Sequence, residues 1–252
     1  MMTDKTRIWT AALIIIGDEI LSGRTQDANL AYLAKWLNVQ GIRLKQVRVV
    51  ADEMEAIAEA LNALRTKYDY VFTTGGIGPT HDDITVDAIA AALGIGVVIH
   101  PEARAILAGY YKDKLTDARL RMARVPEGAS LLENARTGAP GIRIDNIFIM
   151  AGVPVITQGM LASLDGKLEG GAPVLSRSVG AWTAESRVAV LLGAVEKAHD
   201  GVQIGSYPFW RDGRTGANFV LRATDPHVLA TAAEALLAEL RVAGLDPVDG
   251  EI

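Results

Sequence analysis

YDYVFTTGGIGPTHDDITVDAIAAAL, residues 68–93, runs from an apolar segment through a glycine cluster into a second apolar series of different period. Residues 70–74 form a short β-favouring run. Gly75, Gly76 and Gly78 then free the backbone to turn tightly, and Val86, Ile89 and Leu93 recur at helical spacing. A strand that feeds a helix through glycines makes an anion site, because the first amides of a helix lack internal partners and carry the positive end of its dipole. Asp82 and Asp83 share that entrance, which phosphate alone does not require; a metal ion or a proton-transfer role would use them. Either one can equally serve as the helix N-cap, with Pro79 and Thr80 shaping the turn. The residue types leave both readings open.

Strand-helix alternation extends outward from this stretch. Residues 9–16 are a continuous apolar run, the pattern of a strand covered on both faces, and end at Gly17, Asp18 and Glu19. Leu30, Leu33, Ala34 and Leu37 predict a helix capped by Asp27 and closed by Gly41. Residues 42–50 read as a strand, Asp52 marks its junction, and Met54, Ile57, Leu61 and Leu64 lie on one helix face. Such repetition implies a parallel sheet with helices on both faces, and ligands in such folds lie beyond the carboxyl ends of the strands. Asp18 with Glu19, Asp52, and Asp82 with Asp83 all fall at that edge, where helix capping is the simpler use for any one of them.

Residues 101–124 read as a basic helical segment, a solvated face or a phosphate contact. A hairpin of residues 142–144 with 147–150, turning at Asp145 and Asn146, leads to a second tight loop at Gly152, Val153 and Pro154. Residues 166–173 form the best linker. Beyond it the order β-α-β-β-α makes a compact α+β module. Its hairpin tip offers Tyr207, Phe209, Trp210, Arg211 and Arg214, for a subunit contact or for stacking on a base.

The chain has 252 residues, half of them hydrophobic and 22% charged, with net charge −5 and no cysteine. The charge argues against bulk nucleic-acid or anionic-membrane binding as the main task. Without cysteine there are no disulfides, thiolate metal sites or thiol nucleophile, which suits a cytoplasmic protein. The apolar run at 11–16 is too short for a signal-peptide core or a membrane span.

TTGGIGPTHDDIT, together with IIIGDEILSGRTQDAN and AGVP, resembles the molybdopterin-binding domain of CinA, the competence/damage-inducible protein. It is more distantly similar to the molybdenum-cofactor proteins MogA and MoaB. The likeness covers residues 8 to about 170, and QIGSYPFW and FVLRATDP resemble strings of the CinA middle region. The resemblance implies a three-layer α/β/α MogA-like domain over 1–170 and a small α+β domain over 171–252. It implies a phosphorylated pterin (molybdopterin) or nucleotide as ligand, held by Gly17, Asp18, the run from Thr74 through Gly75, Gly76, Gly78, Pro79 and Thr80 to Asp83, and Gly152 with Pro154. Asp52 and Asp83 match family carboxylates with catalytic roles. Metal-dependent hydrolysis of ADP-ribose is associated with such domains, and Asp82 and Asp83 would serve it through Mg2+ or a similar ion. Adenylyl transfer to molybdopterin and a non-enzymatic ligand-binding module are the alternatives. Relatives assemble as dimers or trimers, so a homo-oligomer is expected. Full-length CinA continues into an amidohydrolase domain with no counterpart in these residues, so amide hydrolysis is not carried over. Arg119, Met122 and the VITQGM segment depart from the family pattern, which bears on activity more than on fold.

Overall fold

A computed structural model describes residues 7–134 and 136–252. Its contacts divide the chain into two units with the boundary between Ala172 and Pro173. In the first, β1 (Trp9–Ile16), a short α1 (Asp18–Leu21), α2 (Asn29–Val39), β2 (Ile42–Val50), α3 (Met54–Arg65), β3 (Tyr70–Thr74) and α4 (Thr85–Leu93) follow one another. A small antiparallel ribbon of β4 (Val97–Ile99) and β5 (Arg124–Pro126) brackets α5 (Pro101–Tyr111) and a one-turn α6 (Asp117–Leu120). The unit closes with β6 (Ser130–Leu132), β7 (Gly141–Ile144), β8 (Ile147–Met150) and α7 (Pro154–Ala162).

The main sheet has the order β2-β1-β3-β8-β7-β6. Its alternation explains the continuous apolar run of β1. Ala12, Ile14 and Ile16 face Ile57, Leu61, Leu64 and Ile89 of α3 and α4, whereas Ala11, Leu13 and Ile15 face Leu33, Leu37, Met160 and Leu161 of α2 and α7. Successive side chains point to opposite faces, so a strand between two helical layers must be apolar throughout. The three-layer α/β/α architecture is as expected. The expected parallel pairing holds for β2, β1, β3 and β8, and the sheet is mixed because β7 and β6 are antiparallel to their neighbours. The 142–150 hairpin produces that reversal, since two strands joined by a tight turn can only pair antiparallel.

Two local expectations need correction. The basic segment 101–124 is not one helix, because α5 stops at Tyr111 and Lys112 takes a positive φ of 49°. Neither Asp82 nor Asp83 caps α4, whose cap position is Ile84. Asp27 does accept the Leu30 N–H at 2.8 Å, as predicted.

The second unit comprises β9 (Leu175–Ala181), α8 (Glu185–Ala198), β10 (Gln203–Arg211), β11 (Arg214–Ala223), α9 (Pro226–Val242) and β12 (Val248–Asp249). The two-residue β12 was not foreseen. It completes a β-α-β-β-α-β sequence with sheet order β10-β11-β9-β12, the split β-α-β arrangement. The aromatic residues assigned to the hairpin tip lie in β10. The turn itself is Asp212-Gly213, both with positive φ, a pair whose left-handed conformation matches the twist of a two-residue hairpin. Among the described residues no helix is long and apolar enough to cross a membrane.

Candidate functional site

The carboxyl ends of β1, β2, β3 and β8 meet at one edge, because these four strands are parallel neighbours. The glycines there allow backbones to touch. Gly75 has φ 108°, and a Cβ on it would lie 2.1 Å from the Ile16 carbonyl oxygen. Gly76, at φ 65°, would place a Cβ 2.2 Å from Thr85 Oγ1, which donates to the Gly75 carbonyl at 3.0 Å. No side chain fits at either position, so the turn out of β3 is locked between β1 and the start of α4. On the other side the Asn29 amide donates to the Gly152 carbonyl at 2.7 Å, tying the β8 loop to α2.

Asp83 is the organiser of the turn. Its carboxylate accepts from Gly78 N at 2.7 Å, Thr80 N at 2.7 Å and Thr80 Oγ1 at 2.5 Å. This commits the acceptor capacity expected for a metal to the loop's own donors. It also changes the expected anion cradle: Gly78 N–H is taken by Asp83 and Gly75 N–H by the Met150 carbonyl. Gly76 N–H and Ile77 N–H find no partner among the described residues, and they are the amides left for a ligand.

Asp18 and Asp52 join the first two strand ends reciprocally: Asp18 N donates to Asp52 Oδ2 at 3.0 Å and Asp52 N to Asp18 Oδ1 at 3.3 Å. Burial pushes the Asp52 carboxyl above the ordinary carboxylate value. Asp18, Glu19 and Asp82 push it the same way, against the lowering effect of the Asp18 N–H.

A cavity of about 560 Å³ opens over this edge. Asp52, Gly75, Gly76, Gly78, Pro79, Asp82, Asp83, Gly152 and Pro154 line it, so most of the residues singled out in the sequence converge. Gly17, Asp18, Thr74 and Thr80 do not line it. Gly17 is buried and donates to the Val50 carbonyl, and Thr80 serves Asp83. Thr74 lines an adjoining hollow of about 70 Å³ with Asn29 and Glu19, and its buried hydroxyl has no partner among the described residues. Sequence reasoning missed Thr25, Ala139, Pro140 and Met160 as lining residues. None of these directly follows a parallel strand; the GAPG string at 138–141 was the available signal for two of them. Of the departures from the family pattern, Met122 lines the cavity, while Arg119 lies over the Tyr111 ring and donates to the Lys114 carbonyl.

The lining contains four carboxylates, Glu19, Asp52, Asp82 and Asp83, and no Lys, Arg or His among the described residues. Nor is any group of three or more His, Asp or Glu arranged to hold a metal among them. The Asp82-Asp83 clamp therefore does not fit as a preformed metal cage. Glu19, Asp52 and Asp82 do supply the hard oxygen donors that Mg2+ takes one or two at a time when a ligand's phosphates provide the rest.

A layered α/β sheet with a glycine turn and carboxylates around a cavity at its carboxyl edge defines a protein that binds a small ligand. A family model described as "probable molybdopterin binding domain" matches residues 12–168, and one described as "FAD synthase, middle domain" matches residues 173–249. The structure of CinA from Thermoplasma acidophilum, described as of unknown function, is 32% identical with TM-score 0.60, covering 64% of this chain and 98% of that one. A CinA-like protein of Gemmatimonas aurantiaca is 33% identical over 248 residues, 90% of this chain and 57% of the relative. A protein of Pyrococcus furiosus is 34% identical over 214 residues, 79% of this chain and 84% of the relative. The chain belongs to the molybdopterin-binding-domain family and is CinA-like within it.

Proposed function

We propose that the edge cavity binds a phosphorylated pterin or a nucleotide and that the chain hydrolyses a phosphoanhydride within it, as an ADP-ribose pyrophosphatase would. The observation that carries this reading is the acidic lining: four carboxylates line the cavity beside the glycine turn, while the nearby cations, Arg121 and Arg124, line a smaller hollow that adjoins it at Gly76 and Gly78. Each carboxylate about 4 Å from a ligand phosphate would cost about 4 kcal/mol at a partly solvated site. An anionic ligand therefore binds more favourably when it arrives with a cation. Mg2+ held between the ligand's phosphates and Glu19 or Asp82 would neutralise that charge and polarise the phosphoryl oxygens. Gly76 N–H and Ile77 N–H donate to phosphate oxygens, Asp83 holds the loop that presents them, and Asp52 accepts the proton of an attacking water.

The test is thermal stabilisation by ADP-ribose and by ATP, each with Mg2+ and with a chelator, followed by product analysis. A ligand bound by the native state alone raises the melting temperature. The expected shift needs Mg2+, and Asp52→Asn lowers ADP-ribose turnover by about a hundredfold or more. Equal stabilisation with chelator present would refute the cation requirement. The commitment of Asp83 to loop donors favours a second reading, a ligand-binding module without turnover, which predicts the shift and no product. Adenylated molybdopterin formed from ATP would assign adenylyl transfer instead.

A further inference from the structure

The second unit presents a surface of its own. Its helices α8 and α9 lie on one face of the sheet, where Val179, Ala217, Phe219 and Leu221 are buried. By strand alternation the opposite face carries Tyr207, Phe209 and Arg211 of β10, Arg214 and Arg222 of β11, and Trp182 just after β9. Each guanidinium lies over a ring: Arg211 over Phe209 at 5.0 Å, Arg214 over Trp182 at 4.4 Å and Arg222 over Tyr207 at 5.9 Å. Phe209 rests across Gly216, where a Cβ would lie 2.4 Å from the ring, and meets Trp182 edge-on at 5.5 Å. Tyr207 is 46% exposed, and all three arginines are exposed. Arg211 donates to the Ile252 backbone oxygen at 3.2 Å and Arg222 to the Tyr207 hydroxyl at 2.5 Å, and among the described residues none of the three forms an ion pair with a side-chain carboxylate.

A second copy of the chain is a poor occupant. An isologous contact through this face would set the three arginines against their own equivalents. Pairing along the free edge of β10 is blunted by Pro208, which has no N–H to give. Flat rings interleaved with exposed guanidiniums that face no side-chain carboxylate instead suit a ligand made of planar bases joined by phosphates. We propose that this sheet face binds single-stranded nucleic acid, with bases stacked on Tyr207, Phe209 and Trp182 and phosphates held by Arg211, Arg214 and Arg222. This revises the expectation drawn from net charge, which sums the whole chain and not one face.

The experiment is fluorescence anisotropy of the full chain with a labelled oligothymidylate of about ten nucleotides, within the range one such module covers. Binding should saturate, and log affinity should fall against log salt with a slope of about −2, three phosphate contacts at about −0.7 each. Tyr207→Ala and Phe209→Ala should each weaken binding on the order of tenfold. Arg214→Gln should weaken it and reduce the salt slope by about 0.7. Because Phe209 packs over Gly216, each variant is first checked for an unchanged melting temperature; Tyr207→Leu and Arg214→Gln carry the test where Phe209→Ala does not fold. Saturating ADP-ribose should leave the oligonucleotide bound, which separates this face from the edge cavity. No anisotropy change, equal affinity for duplex of the same length, displacement by thymidine monophosphate or oligoglutamate at equal concentration, or indifference to Tyr207→Leu would each overturn the proposal.

Discussion

Asp83 and Gly75 do different work in the same turn, and substitution separates them. Asp83→Asn keeps the shape of the side chain but replaces one accepting oxygen with a donor, so it faces the Thr80 or Gly78 N–H with the wrong group. The loop loosens while the core stays intact, and ligand-induced stabilisation should fall with little change in the free protein's melting temperature. Gly75→Ala acts on the fold itself. The residue sits at φ 108° with the Ile16 carbonyl where its Cβ would go, so it should cost about 1–3 kcal/mol or more, read as a lower urea midpoint. Asp69 gives a pH test away from the site. Burial alone would raise its carboxyl, but the Thr10 hydroxyl and N–H, both at 2.8 Å, and Arg7 at 2.6 Å outweigh that and leave it below the ordinary value. A depressed carboxylate stabilises above its unfolded pKa of about 3.9, and that contribution is lost as pH falls through the folded value. The urea-midpoint difference between the protein and Asp69→Asn should therefore be largest near neutrality and shrink below about pH 4.

At the scale of elements, β1 and β3 were legible because burial on both faces leaves a simple trace: residues 11–16 and 70–72 are apolar at every position. The bounds of β1 and β3 follow from that pattern; β2, an edge strand with Arg43, Lys45 and Arg48 among its apolar residues, reads instead from its β-favouring residues, and the 142–150 hairpin from its turn, where Asp145 takes a positive φ of 50°. The reversal that makes the sheet mixed was harder to see, since β6 is three residues long and its pairing with β7 depends on contacts remote in sequence. For the same reason the glycine turn and its carboxylates could be named from sequence, but the partners of Asp83 could not. A carboxylate three residues after a threonine reads as a helix cap, and only the path of the 78–80 backbone turns it inward. Packing within the layer is aromatic: Phe72 and Phe148 stack at 4.9 Å, with Tyr70 edge-on to Phe148 at 6.0 Å and Trp36 edge-on to Phe72 at 6.2 Å. Phe148→Ala should cost about 3–5 kcal/mol, because the fully buried ring leaves a cavity on adjacent strands of one layer. Its measured cost in urea should exceed that of Tyr110→Ala, whose ring is 53% exposed.

At the scale of the whole molecule, each unit has its own buried core, Leu13, Phe72 and Ile89 in one and Phe219, Leu236 and Leu240 in the other. The segment leaving the first unit read as a linker on composition, yet it is held down. The Tyr70 hydroxyl donates to the Glu169 carbonyl at 3.0 Å and Gly171 N to the Gly41 carbonyl at 3.0 Å. Cβ atoms at Gly170 and Gly171 would sit 1.8 Å from the Gln40 carbonyl oxygen and 2.6 Å from that of Arg7. The glycines are thus a close-packing device, and flexibility is a secondary consequence of their use here. A domain boundary at 170 would cut through that contact, whereas one after Ala172 preserves it. We expect a fragment ending at Ala172 to fold and to keep the Mg2+-dependent stabilisation by ADP-ribose. A fragment ending at Leu168 loses both hydrogen bonds and should be less stable by about 1–3 kcal/mol, at 0.5–1.5 kcal/mol each. Urea titration of the two fragments decides it. Equal midpoints would mean that residues 169–172 act only as a tether, and an unfolded fragment at Ala172 would mean that the first unit depends on the second for its stability.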